Sequence, residues 1–491
     1  MHRCMQIPEL VCSHILPPSG IETSLDVGQP KHGDLAVLAR TSTLFSSHAL
    51  RLLWKRGGFF TKYIMLYSDP HFADLSVVFP SVGPHLSKNM LPNLLGLHWM
   101  HKDDDFQYID CFLAPQLTAI RIPHISLAAL SLLPALSLRC PKLIAITFFP
   151  RGTSDLRPLA VSAVSACVRD LHLIETLIGD MVDEAALEHL SRLPSLRHVR
   201  LCELPPTLPA LPTDDRVLFP SLRTLYFRSE IESPMRFLEW ANKLRLAEFT
   251  AECTAFSTSD QVHHLFTTAA GGLSHSPLTQ FAFDNEFGSF NSLDSVDYLI
   301  RPQSLRTLFC FVNLTSVSVL SAVGVDLDDA TVADMARSWR QIERLEFQSY
   351  YGNPTPRTTL RCLEAFPEYC LHLTKLSITF DATVIPTSQT DLSLECLKNF
   401  DVEASPISTA LPVARFLSHI FPSLEHLSTL RDSLDGDEDW EAEVGPHAVQ
   451  YDRQWKEVVQ IFCCNATPTP VENLVDALSN EMQPRRKALV I

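Results

Sequence analysis

A chain of 491 residues, 46% hydrophobic and 20% charged, can bury a sizeable core and is not a disordered polypeptide. Its net charge of −16 runs against sequence-independent phosphate-backbone binding, which needs clustered Lys and Arg, so nucleic acid is not an expected partner. The 13 cysteines are odd in number and form no Cys-x-x-Cys pair, which argues for reduced thiols in an intracellular protein, cytoplasmic or nuclear.

In chain order, the first predicted elements are short helical patterns around Pro8 to Leu16 and Asp34 to Arg40. The loop PPSGIETSLDVGQPKHG joins them, and Leu44 to Trp54 follows. Together they read as a small helical module over residues 1–56, with no continuous apolar run of the secretory kind. Residues 57–92 read as a divergent linker or first repeat.

From residue 93 to residue 430 one pattern recurs, apolar-x-x-apolar-x-apolar, and it explains much of the leucine excess, 72 in the whole chain. Clear copies are Leu143-Ile146-Phe148, Leu196-Val199-Leu201, Leu222-Leu225-Phe227, Leu373-Leu376-Ile378 and Leu424-Leu427. Weaker ones are Leu94-Leu97-Trp99, Leu117-Ile120-Ile122, Val168-Leu171-Leu173, Leu246-Phe249-Ala251, Leu278-Phe281-Phe283, Leu314-Val317-Val319, Ile342-Leu345-Phe347 and Leu397-Phe400-Val402. The mean step from Leu117 to Leu424 is about 28 residues, which is the leucine-rich-repeat period. Each unit should lay down a short strand with its landmarks inward and return along the outside by a helix or irregular arc. Helical spacing in Asp183 to Leu193, in Asp328 to Trp339 and in Val413, Phe416, Leu417 and Ile420 supports this. Asp183 and Asp260 are expected N-caps, and Ser233-Pro234 an expected cap with proline at the first helical position. The fold class is therefore α/β, an irregular leucine-rich-repeat solenoid with parallel strands inside and helices outside. The steps vary, and the asparagine usual in such repeats is mostly missing.

After the repeats, residues 431–446 are an acidic segment expected to be a solvated loop. Trp455, Val458, Val459 and Phe462 then recur at helical spacing, so residues 447–466 should form an amphipathic helix closing the last repeat. Residues 467–491 read as a tail. The longest apolar stretch, Ser126 to Leu138, is too short to span a bilayer, so no membrane partner is expected.

The sequences MHRCMQIPEL, DLAVLARTSTLFSSHALRLLW and NLLGLHWMHKDDDFQYIDCFLAPQLTAIRI, with LSLRCPKLIAITFF after them, resemble the F-box/leucine-rich-repeat-like proteins of mushroom-forming fungi. The resemblance implies a substrate-recognition adaptor of a cullin-RING ubiquitin ligase. Its N-terminal module would dock on a Skp-type adaptor, and its repeats would hold a protein substrate. Carried over by motif position, Ile7, Pro8, Glu9, Leu10 and Ile15 would form the first docking helix. Leu35, Leu38, Phe45, Leu53 and Trp54 would complete the docking surface. The alternative is a freestanding protein-binding scaffold whose module is a degenerate, non-docking F-box that only caps the first repeat.

Side chains alternate across a strand, so the positions between landmarks should line the concave face. There the candidate substrate contacts are Arg200, Tyr226, Arg228, Glu248, Asp284, Arg344 and Glu346, with Tyr226, Arg200 and Arg228 foremost because Tyr and Arg are over-represented at binding hot spots. Arg121, His198, Thr224, Thr250, Lys375 and Asp401 occupy equivalent positions. No phosphate-binding glycine loop, nucleophile elbow or His-Glu-x-x-His pattern occurs, and His98 with His101 or His263 with His264 make poor chelates. No cofactor, no metal and no catalytic residue is expected.

Overall fold

The computed structural model describes residues 63–67, 94–100, most of 106–148, 157–211, 217–285, 295–349, 356–386, 391–429 and 440–465, apart from single positions inside those spans. The residues proposed for docking, Ile7 to Trp54, and the tail after Asn465 lie outside them.

The strands are β1 (Tyr63–Tyr67), β2 (Gly96–Met100), β3 (Ala119–Ile122), β4 (Ala145–Phe148), β5 (Thr176–Gly179), β6 (His198–Leu201) and β7 (Thr224–Ser229). They continue with β8 (Glu248–Cys253), β9 (Gln280–Asn285), β10 (Ser316–Ser321), β11 (Arg344–Ser349), β12 (Lys375–Ser377), β13 (Asn399–Asp401) and β14 (His426–Ser428). Between them run helices α1 (Leu127–Arg139), α2 (Arg157–Arg169), α3 (Glu184–Arg192), α4 (Glu232–Trp240) and α5 (Ser259–Gly272). Then come α6 (Pro302–Arg306), α7 (Asp329–Ser338), α8 (Ala365–Tyr369), α9 (Ala410–Ile420) and α10 (Trp440–Asn465). The chain forms two compact units that divide between Leu225 and Tyr226, inside β7. Within the first unit β1 to β6 pair in parallel and in chain order. Within the second, β8 to β14 do the same. Each unit is a leucine-rich-repeat solenoid.

A ladder of shared carbonyls fixes where each strand begins. In the first unit the Leu95 oxygen accepts from the N–H groups of both Thr118 and Ala119, Thr118 serves Ile144 and Ala145 in turn, and Ile144, Glu175 and Arg197 continue the series. In the second unit Ala247, Thr279, Thr315, Glu343, Thr374 and Lys398 do the same for the repeats that follow them. Four threonines add their hydroxyls to this ladder: Thr118 to Leu95 at 2.9 Å, Thr279 to Ala247 at 3.1 Å, Thr315 to Thr279 at 3.2 Å and Thr374 to Glu343 at 3.0 Å. Strand entry therefore rests on the backbone, and the arcs are free to differ in length. Irregular steps and the scarcity of asparagine follow from this.

Inward landmarks are buried in nearly every repeat, from Leu97 and Ile120 to Leu376 and Phe400. Aromatic rings tie strand to helix in the second unit: Phe266 of α5 meets Phe281 and Phe283 of β9 edge-on, each at 5.3 Å. The helices begin where capping chemistry allows. Asp183 caps α3 by accepting from the Ala186 N–H at 2.7 Å, and Asp328 caps α7 by accepting from Thr331 at 2.7 Å.

Several expectations need correction. The triplet Val168-Leu171-Leu173 is not a strand: Val168 belongs to α2 and Leu173 is 54% exposed. The landmarks there are Ile174, Leu177 and Gly179, and the glycine at the third position hid them. The cap of α5 is Thr258, which forms a reciprocal capping box with Gln261, while Asp260 sits in the first turn. Ser233 and Pro234 lie inside α4, whose N-cap is Ile231 without a side-chain bond. The last helix starts at Trp440 rather than His447, because Gly445-Pro446 interrupts the propensity without ending the helix.

Candidate binding face

Alternation along each strand turns one set of side chains toward the helices and leaves the other on the open face of the sheet. Strand register arranges the open-face residues in rows. In the first unit one row is His98, Arg121, Thr147, Ile178 and Arg200, and the row before it is Gly96, Ala119, Ala145, Thr176 and His198. Arg121 and His198 are exposed and Arg200 is half-buried. Burial first, and the Arg121 charge beside it second, hold the His98 imidazole below its usual titration range, so His98 is neutral at pH 7.

In the second unit three rows cross the sheet. The first runs Glu248, Gln280, Ser316, Arg344, Lys375, Asn399 and His426. The second runs Thr250, Ala282, Ser318, Glu346, Ser377, Asp401 and Ser428, and the third Glu252, Asp284, Leu320 and Gln348. Basic groups thus gather where the strands enter at β11 and β12, and acidic groups where they leave at β8 and β9. Small residues, Ala282, Ser316 and Ser318, separate them.

Of the residues singled out from sequence, Tyr226 and Arg228 are brought together by a third. The Tyr226 hydroxyl donates to Glu252, and Arg228 Nε approaches the other carboxylate oxygen of Glu252 at 2.7 Å. Asp284 faces Glu252 directly on the adjacent strand, Glu248 faces Gln280, and Glu346 forms an ion pair with Lys375. Arg344 stands exposed between Ser316 and Lys375. Arg200 belongs to the other unit. Asp401, although at an open-face register, is buried at 7% exposure. The Glu403 side chain, next on that face, reaches across to Ser377 and Ser349 in the same corner.

Glu252 was missed because the landmark triplet ends at Ala251, whereas β8 runs on to Cys253. Continuing the alternation by one step would have found it. Among the described residues no three His, Cys, Asp or Glu side chains group as a metal ion would require. Burial pushes the thiols of Cys140, Cys167, Cys253 and Cys370 up to about 12, which makes them packing groups rather than nucleophiles. No helix among the described residues is long and apolar enough to cross a membrane.

No family model matches the chain, and no curated protein matches it. Forty-nine chains of solved structures do. One is a crystal structure of a TLR13-ssRNA13 complex, 14% identical, with a TM-score of 0.36 and 70% of this chain covered. The match spans 46% of that chain, under half its length.

Proposed function

We propose that the protein is a non-catalytic adaptor that holds a protein substrate on the open face of its repeats. On this reading it presents the substrate to a cullin-RING ubiquitin ligase through its F-box-like N-terminal module. The observation that carries the binding half is the Tyr226-Glu252-Arg228 arrangement. One carboxylate fixes two hot-spot side chains in place on an otherwise open sheet, so a partner meets them already ordered. The ligase half rests on the resemblance of residues 1–54. Its mechanism is tethering: holding the substrate beside a ubiquitin-charged enzyme raises the effective concentration of the substrate lysines.

Co-expression with a fungal Skp-type adaptor, followed by size-exclusion chromatography, tests the reading. A stoichiometric complex is expected from the full chain, and none from a chain starting at Lys55 or from Leu10→Asp, provided both remain folded by circular dichroism. Folded full-length protein that forms no complex would leave a freestanding protein-binding scaffold in place of the ligase adaptor.

A further inference from the structure

β11 runs to Ser349, but β12 stops at Ser377, opposite Glu346, so the last three residues of β11 have no partner strand on that side. Past this point the two segments separate. Ile378 N–H turns to the Asp401 carbonyl at 3.2 Å, and Asp381 N–H to Thr358 at 2.8 Å. The Glu403 side chain spans the opening. Glu403, two residues beyond β13, adopts φ 52°, a left-handed conformation costly for a residue with a Cβ. From there its Oε2 accepts from the Ser349 N–H at 3.4 Å and its Oε1 from the Ser377 hydroxyl at 3.0 Å. Its own N–H donates to Asp401 Oδ1 at 2.9 Å. It is 2% exposed.

Among the described residues, the charged groups acting on this carboxyl are Asp401 on β13 and Glu346 on β11, both acids, and Glu346 is already paired with Lys375 of β12. On α10, Asp452 and Lys456 are bonded to each other at 2.7 Å. An ionised Glu403 would therefore be a buried anion beside a second acid, a costly arrangement. Burial and then Asp401 drive its pKa well above the carboxylate range, against the two hydrogen bonds it accepts. A proton on Glu403 needs an acceptor, and the Ser377 hydroxyl, 3.0 Å from Oε1, can turn to accept it.

We propose that Glu403 is a proton-operated clasp. As a neutral acid it ties β11, β12 and β13 together, and on ionising it loosens the last repeats. The folded protein would hold a proton that the unfolded chain releases. Its contribution to stability is then complete below the ordinary glutamate pKa of about 4.3 and is lost as pH rises through the folded value.

The test is thermal unfolding of the full chain, followed by tryptophan fluorescence from about pH 5 to about pH 9, for wild type, Glu403→Gln and Asp401→Asn. Glutamine mimics the neutral acid, so the wild-type Tm should fall relative to Glu403→Gln by several degrees across the series. Removing the neighbouring charge in Asp401→Asn should make the fall smaller and end it at lower pH. Parallel curves for wild type and Glu403→Gln would overturn the proposal. If Glu403→Gln does not fold, identical pH curves for wild type and Asp401→Asn would do so.

Discussion

The indole N–H of Trp455 donates to the Ser405 carbonyl at 2.8 Å, joining α10 to the loop after β13 across 50 residues of sequence. Trp455 is fully buried and its ring meets Phe380 edge-on at 5.9 Å. Trp455→Phe keeps an aromatic ring but leaves a buried carbonyl unsatisfied, at a cost of about 1–3 kcal/mol. Trp455→Ala also opens a cavity and should cost about 3–5 kcal/mol. Urea unfolding of both variants checks this. If the two lose equal stability, the ring packing contributes little and the hydrogen bond is the whole of the attachment.

Helix starts offer a comparison within one helix. Thr258→Ala removes the capping box of α5 and should cost about 1 kcal/mol. Asp260→Ala removes only an exposed pair with Arg301 and should fall within about 0.5 kcal/mol of wild type. Chemical denaturation of the two variants ranks them, and the reverse order would return the cap to Asp260.

That comparison also marks how far the sequence was legible. Wherever three apolar landmarks survive, as in Leu222-Leu225-Phe227, strand position and inward face follow from alternation alone. Where a landmark is glycine, as at Gly179, the pattern slips onto neighbouring leucines that turn out to be exposed. The cap at Asp183 was readable because it is the only residue of capping type directly before an amphipathic run, whereas Asp328 was read only as the start of its helix. Thr258, Ser259 and Asp260 offer three candidates, and only geometry chooses among them. The open-face residues, Asp401 among them, were readable by parity, but the burial of Asp401 and Glu403 was not. Their burial depends on β12 stopping short of β11, a long-range event that no local pattern encodes.

The cap of α7 carries a pH dependence of its own. Hydrogen bonds from Thr331 hold the Asp328 carboxyl below its usual range, so its stabilising effect is present above the ordinary aspartate pKa and lost as pH falls through the lowered folded value. Asp328→Asn, which still caps but cannot ionise, should lie close to wild type at pH 7 and be less sensitive to acid. Acid titration of the two proteins by circular dichroism makes the comparison. Identical acid transitions would mean that Asp328 does not contribute to acid sensitivity.

Arg228 and Glu252 are 42% and 22% exposed at their side chains, so their pair is worth at most about 1 kcal/mol to the fold. Glu252→Gln should therefore leave Tm nearly unchanged while weakening the contacts that order Tyr226 and Arg228. Ordering such side chains on binding costs about 0.5–1.5 kcal/mol each. Glu252→Gln should accordingly weaken capture of a protein partner roughly 5-fold or more, and Arg228→Glu, which sets a like charge beside Glu252, should weaken it further. Pull-down with the folded variants, against a partner first captured by wild type, measures this. Undiminished capture by both variants would remove this part of the second unit from the substrate site and direct attention to the exposed Arg344 and the ion-paired Lys375 in the first row.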